Sequence, residues 1–239
     1  MKTRPSIPET DLANIAVLPT DAKRLALRRM KLSYPTHSYR PIRRSASDIL
    51  NLQSGFLHPV ARPPWSAVAA QIRKDCKTDL ECTANLCVAE GLYSFAEAIG
   101  LSGRKHDIYP TVLGAAGKVV YWTQAVIAMG GEPVVPFFDP RRSTRLSPSG
   151  RRFAFSVMHE RIRVADPDLA GVRLCIIQFA NVPKGPRSPK MHLDAGIPLY
   201  SFEELSFMTQ ETYRIWHEVL DEREDGLRRR AAGERGSLL

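Results

Sequence analysis

The sequence lacks several features that would settle a function early. It has no apolar run near the roughly 18 residues that a membrane-spanning helix needs. Its N-terminus shows no apolar core after Lys2 and Arg4, so the pattern of a secretory signal is absent. The expectation is a cytoplasmic protein without a membrane partner. None of the four cysteines (Cys76, Cys82, Cys87, Cys175) forms a Cys-x-x-Cys pair, so structural zinc spacing is missing. Such unpaired usage suits a reducing compartment, and Cys87 and Cys175 fall in apolar patterns that suggest packing. Gly114-Ala115-Ala116-Gly117 is not followed by Lys-Ser/Thr, which excludes a P-loop. There is no Gly-x-Ser-x-Gly elbow, and His159-Glu160 lacks the second histidine of a zincin helix. Lysine is scarce, at 9 of the 34 basic residues.

What is present is arginine, unevenly spread. The chain has 239 residues, is 44% hydrophobic and carries a net charge of +9. Residues 1–64 sum to +7 and residues 104–190 to +8, whereas 65–103 sum to −2 and 191–239 to −4. The planar guanidinium fork suits phosphate and stacks on bases, so the arginine excess points to a polyanion. The acidic blocks point elsewhere, because acidic and basic segments of one protein can satisfy each other.

Periodicity divides the chain in three. Residues 1–64 are basic and broken by eight prolines, and read as an irregular N-terminal arm with one helix at Thr20–Lys31. Residues 65–220 read as an α/β core. Helices are expected at Trp65–Asp75 and from the Thr78/Glu81 capping box to Gly100, where Leu80, Ala84, Cys87, Val88, Leu92, Phe95 and Ala96 recur at helical steps. Lys118–Met129 and Pro133–Phe138 flank Gly130-Gly131 as a β-hairpin, with a less regular strand before it at Ile108–Leu113. Ser147 and Pro148 start a helix to about Val164, Val172–Ala180 is an apolar strand, Ile197–Tyr200 is a short one, and Ser201/Glu204 cap a last helix. Residues 221–239 form a charge-dense tail expected to fray. The architecture implied is a mixed central sheet with an antiparallel hairpin, covered by helices.

This order, carried by the hairpin YWTQAVIAMGGEPVVPFFDPRR, resembles the restriction-endonuclease-like fold of the PD-(D/E)XK nucleases over residues 78–220. The resemblance implies a divalent metal held by strand acids. In this chain Thr123 and Gln124 stand near the first acid's place, and Val135–Phe138 near that of the acid–x–Lys triplet. Asp139, Glu160 and Asp107 are then the candidate catalytic acids, and Mg²⁺ or Mn²⁺ enters only with that chemistry. No other cofactor is called for.

Residues 139–163 hold seven arginines and two acids. On a helix, Arg152, Ser156, His159 and Arg163 share one face, a stripe suited to successive phosphates. The leading expectation is therefore a nucleic-acid-binding protein of nuclease-like fold, for DNA or RNA, with or without catalysis. Arg141, Arg142, Arg145, Arg152, His159 and Arg163 would make its contacts, with Arg40, Arg43 and Arg44 added from the arm. One alternative is a metal-dependent nuclease with an atypical site. The other is a non-enzymatic assembly component whose basic blocks dock on an acidic protein or on a second copy.

Overall fold

The computed structural model describes residues 4–31, 38–53, 60–182 and 185–236, without the side chains of residues 227 and 230–236. Six strands form one mixed sheet in the order β1-β2-β5-β6-β7-β8. They are β1 (Leu52–Gln53), β2 (Ser102–Lys105), β5 (Ala125–Met129), β6 (Glu132–Asp139), β7 (Arg173–Ala180) and β8 (Ser188–Leu193). The β1–β2 and β6–β7 pairs are parallel and the other three antiparallel. A separate two-stranded ribbon pairs β3 (Thr111–Val112) with β4 (Lys118–Val119).

The pleat of the two parallel strands sorts the core into two layers. Val135, Phe137, Leu174 and Ile176 face one cluster, with Phe153, Met158 and Trp216. Val134, Cys175, Ile177 and Phe179 face the other, with Ile72, Val88 and Leu92. Helices α5 (Trp65–Asp75) and α6 (Asp79–Ala98) cover the second face. The first is covered by α7 (Pro148–Met158) and α8 (Phe202–Gly236). The expected α/β architecture with helices on a mixed sheet is therefore present.

The sharpest local signals become structure as the residues dictate. Thr78 Oγ1 accepts from Glu81 N at 3.2 Å and Ser147 Oγ from Gly150 N at 3.0 Å. Ser201 and Glu204 exchange both bonds of a capping box, at 3.2 and 2.7 Å. Gly130 and Gly131 take φ of 61° and 83°, the left-handed pair that a two-residue hairpin needs. Several expectations fail. Ile197–Tyr200 is not a strand. Ser188–Lys190, read as loop, belong to the edge strand β8. The expected strand of Ile108–Leu113 shrinks to the two residues of β3, and His159–Val164 leave α7 as a turn of π-helix. The last helix also runs on to Gly236, through most of the expected tail.

The N-terminal segment is not irregular where it is described. It carries α1 (Glu9–Ala16), α2 (Thr20–Arg29), α3 (Arg40–Arg44) and α4 (Ala46–Ile49), and Leu12, Leu27 and Ile49 are fully buried. Its α2 is the helix expected at Thr20–Lys31, and long-range bonds that periodicity does not show hold it in place. Lys23, only 2% exposed, pairs with Glu211 of α8, and Thr20 Oγ1 donates to the same carboxylate at 2.7 Å. Arg24 bonds Glu218, and Arg28 meets Glu222 at 2.9 Å. Arg223 in turn donates to the carbonyls of Leu27, Arg28 and Met30 at the end of α2, where Leu27 O also accepts from Met30 N at 3.2 Å. Acidic and basic blocks thus meet within one chain.

The bond from Lys23, then that from Thr20, holds the Glu211 carboxyl below its ordinary 4.5. A carboxylate lowered on folding stabilises the protein above its unfolded value, and that contribution is lost as pH falls through the folded one. In urea titrations Glu211→Gln should cost on the order of 3 kcal/mol at neutral pH, because it strands a buried ammonium. The gap to the wild-type chain should stay level down to about pH 5 and narrow below it.

Candidate functional site: a groove between the N-terminal helices and the sheet

Where β6 ends, Asp139-Pro140-Arg141-Arg142 turns away from the sheet and meets the N-terminal helices. A groove of about 1000 Å³ opens there, walled by the start of α1, by α3 and by the first turns of α6. An apolar pocket of about 360 Å³ adjoins it, lined by Val88, Leu92, Trp122, Phe137 and Phe138 among others. The two share Glu9, Thr10, Arg43, Phe138 and Pro140, so they form one trough with a charged end and an apolar end.

Buried polar side chains hold the walls. Glu81, whose capping box was legible, does not return its bond to Thr78. Its carboxylate accepts from Lys77 N at 2.7 Å and from Ser38 Oγ at 2.9 Å. These bonds, that from Lys77 first, draw its pKa below 4.5. One turn on, the fully buried Asn85 accepts from Ile42 N at 3.2 Å and donates to Ser38 O at 2.8 Å. Together they fix α3 on α6 and aim Arg40 and Arg43 into the groove. The opposite wall hangs on Arg187, 2% exposed. Its guanidinium donates to the carbonyls of Pro140, Arg141 (3.3 Å) and Phe179 (2.7 Å), and its backbone N to Cys87 O at 2.8 Å. Burial lowers its pKa, and α6 passes so close that a Cβ on Gly91 would lie 1.9 Å from Arg187 O. The α1 wall is tied by Arg141 Nη1 to Asp11 at 2.6 Å, by Trp216 Nε1 to Pro5 O at 2.8 Å, and by Tyr121 to Glu9 O.

The candidate acids do not meet as a metal site. Asp139 is 1% exposed, and its Oδ2 accepts from Leu146 N at 2.7 Å and from Gln178 Nε2 at 2.9 Å. Arg151 Nη1 donates to Gln178 Oε1 at 3.2 Å, so the carboxylate closes a hydrogen-bonded loop rather than facing a ligand shell. Asp107 is exposed beyond β2, and Glu160 lies in the π-helical turn after α7. Among the described residues no three His, Cys, Asp or Glu side chains could share one ion. The thiols are free; Cys76, Cys82 and Cys87 are half-buried, and burial raises that of Cys175 to about 12.

The arginine stripe of α7 is not open to phosphates. Ser156 is fully buried and accepts from Tyr200 N at 2.9 Å, Arg152 stacks 3.7 Å from the centre of the Tyr200 ring, and Arg163 bonds Asp194 at 2.6 Å. The segment before α8 therefore lies across this face. Among the described residues His159 Nδ1 is buried without a partner. Arg44 sits 3.8 Å from Asp75, and Arg145 is exposed, its carbonyl accepting from Asn14. Of the predicted contact residues, Arg40, Arg43, Arg141 and Arg142 share the groove, and the others do not line it.

A family model described as "Sliding clamp-binding bacterial toxin SocB" matches residues 10–226. The chain belongs to the SocB family. It is 34% identical over 227 residues to a protein of Caulobacter vibrioides (strain NA1000 / CB15N) described as "DNA replication inhibitor toxin SocB", over 95% of both chains. No solved structure matches. SocB membership overturns the PD-(D/E)XK resemblance, which rested on element order that many α/β chains share. The function read from it, a nucleic-acid-binding nuclease-like protein, and its nuclease alternative fall with it. The assembly-component alternative agrees better with what the SocB family is described as doing.

Sequence reasoning missed Asn85, Arg187 and the α2–α8 pairs. Asn85 stood as one polar residue inside an apolar stripe, and Arg187 in a Pro/Lys/Gly loop that looked solvated. Both are structural anchors and can be tested as such. Asn85→Ala strands the Ile42 N–H and should cost about 1–3 kcal/mol in chemical denaturation. Gly91→Ala must push the Arg187 backbone aside and should cost about 3 kcal/mol by the same measurement.

Proposed function

We propose that this chain is a toxin that inhibits DNA replication by binding the sliding clamp. The observation that supports this is the extent of the family match, which runs over residues 10–226 and so takes in every element from α1 to most of α8. The Caulobacter relative is similar over nearly its whole length, so the likeness is not confined to one module.

On this reading inhibition is stoichiometric. A protein that occupies the clamp keeps other clamp-dependent factors off it and needs no chemistry of its own. The basic surface then serves association, since complementary charge speeds encounter more than it adds affinity. The test is a purified system of clamp, clamp loader, polymerase and primed template. The chain should co-elute with the clamp and suppress processive synthesis, and excess clamp should restore it. Clamp-independent synthesis by the same polymerase should be untouched. Absence of a complex at micromolar concentrations, or inhibition that extra clamp does not relieve, would refute the proposal.

A further inference from the structure

The cations of the N-terminal block divide by where they face. Those toward α8 are paired: Arg4 with Asp221, Lys23 with Glu211, Arg24 with Glu218 and Arg28 with Glu222. Lys31, Arg40 and Arg43 line the groove, joined from the end of β6 by Arg142. All four are exposed, and among the described residues no carboxylate pairs with any of them. The acids of the same groove are mostly spent. Asp11 is bound by Arg141, and Asp139 is buried on Leu146 N and Gln178, which leaves Glu9.

Four unpaired cations against one carboxylate make a positive trough, and a low-dielectric wall strengthens such a field. Beside it lies the apolar pocket, with Arg43 at the junction. Arg43 belongs to both regions, so one ligand can occupy them together. The combined space exceeds what one small molecule fills, which suits a peptide segment.

We infer that the groove is a docking site for an acidic segment of another protein, carrying one bulky apolar side chain that enters the pocket beside Phe137 and Phe138. Carboxylates of that segment meet Arg40, Arg43 and Arg142, and the apolar anchor removes about 150–250 Å² of its own surface from water if aromatic. The inference does not rest on the clamp reading, and it describes a surface that receives a peptide.

The test uses the full chain and three pools of fluorescein-labelled nonamers. One pool carries four Asp or Glu and a central Phe, Trp or Leu. The second replaces the acids by Lys or Arg, and the third replaces the central residue by Ala. In anisotropy titrations the chain should bind the first pool, bind the third at least about tenfold more weakly, and ignore the second. Affinity for the first pool should fall as salt rises. The exposed triple variant Arg40→Glu/Arg43→Glu/Arg142→Glu should lose at least about tenfold while keeping the wild-type melting temperature. Ala46→Phe, which fills the pocket from α4, should lose binding of the first pool while leaving the third unchanged. Equal binding of the basic pool, no binding of any pool, or an unchanged affinity in the triple variant would overturn the inference. So would an oligonucleotide held through the same three arginines while the peptides are ignored.

Discussion

Lys23 is an ammonium almost wholly removed from water, and it can be so only because Glu211 stands against it. An isolated charge in that position would cost several kcal/mol. The pair therefore makes the docking of α2 on α8 close to all-or-none. The neighbouring pairs of Arg24 and Arg28 are half exposed and add little each. Arg223 reads the end of α2 through three carbonyls, which fixes the register of the two helices rather than only their proximity. α1 directly precedes α2 in the chain, so the clasp also places α1 and with it the wall of the groove.

The groove itself is a surface feature held by interior polarity. Glu81 and Asn85 fasten α3 from below, and Arg187 fastens the end of β6 from behind. Most but not all of their donors and acceptors are satisfied, and each gap is costly in a core: among the described residues Arg187 Nε is buried without a partner, and so is Oδ1 of Asp139. As a sequence feature Asp139 looked like a metal ligand; in the fold it joins β6, β7 and the start of α7 through Gln178, Leu146 and Arg151.

The legible parts of the fold were those whose cause is local. Thr78, Ser147 and Ser201 cap helices through bonds to residues three positions away, and Gly130-Gly131 sets a hairpin with its own dihedral freedom. The edge strand β8 was not legible, because Ser188-Pro189-Lys190 has an exposed strand's polarity and reads as loop. Ile197–Tyr200 misled in the opposite direction. Its apolar residues pack, but the Tyr200 N–H goes to Ser156 rather than to a neighbouring strand. At the site, the positive charge of Arg40, Arg43 and Arg142 was visible, but not that they share one trough. Arg141, Arg152 and Arg163 looked equally available, and only partners far away in sequence, Asp11, Tyr200 and Asp194, show that they are occupied.

The clasp also sets an order of events. Lys23 and Glu211 lie 188 residues apart, so the contact closes a loop of most of the chain. Contacts of such separation form late, after their entropy of closure has been met. During synthesis α2 leaves the ribosome long before α8 exists, and its lysine has no carboxylate to meet. The groove is therefore a property of a chain in which α8 is already present. A partial chain carries the arginines but not the wall that aligns them, and the protein cannot engage a partner there until its own last helix has been made.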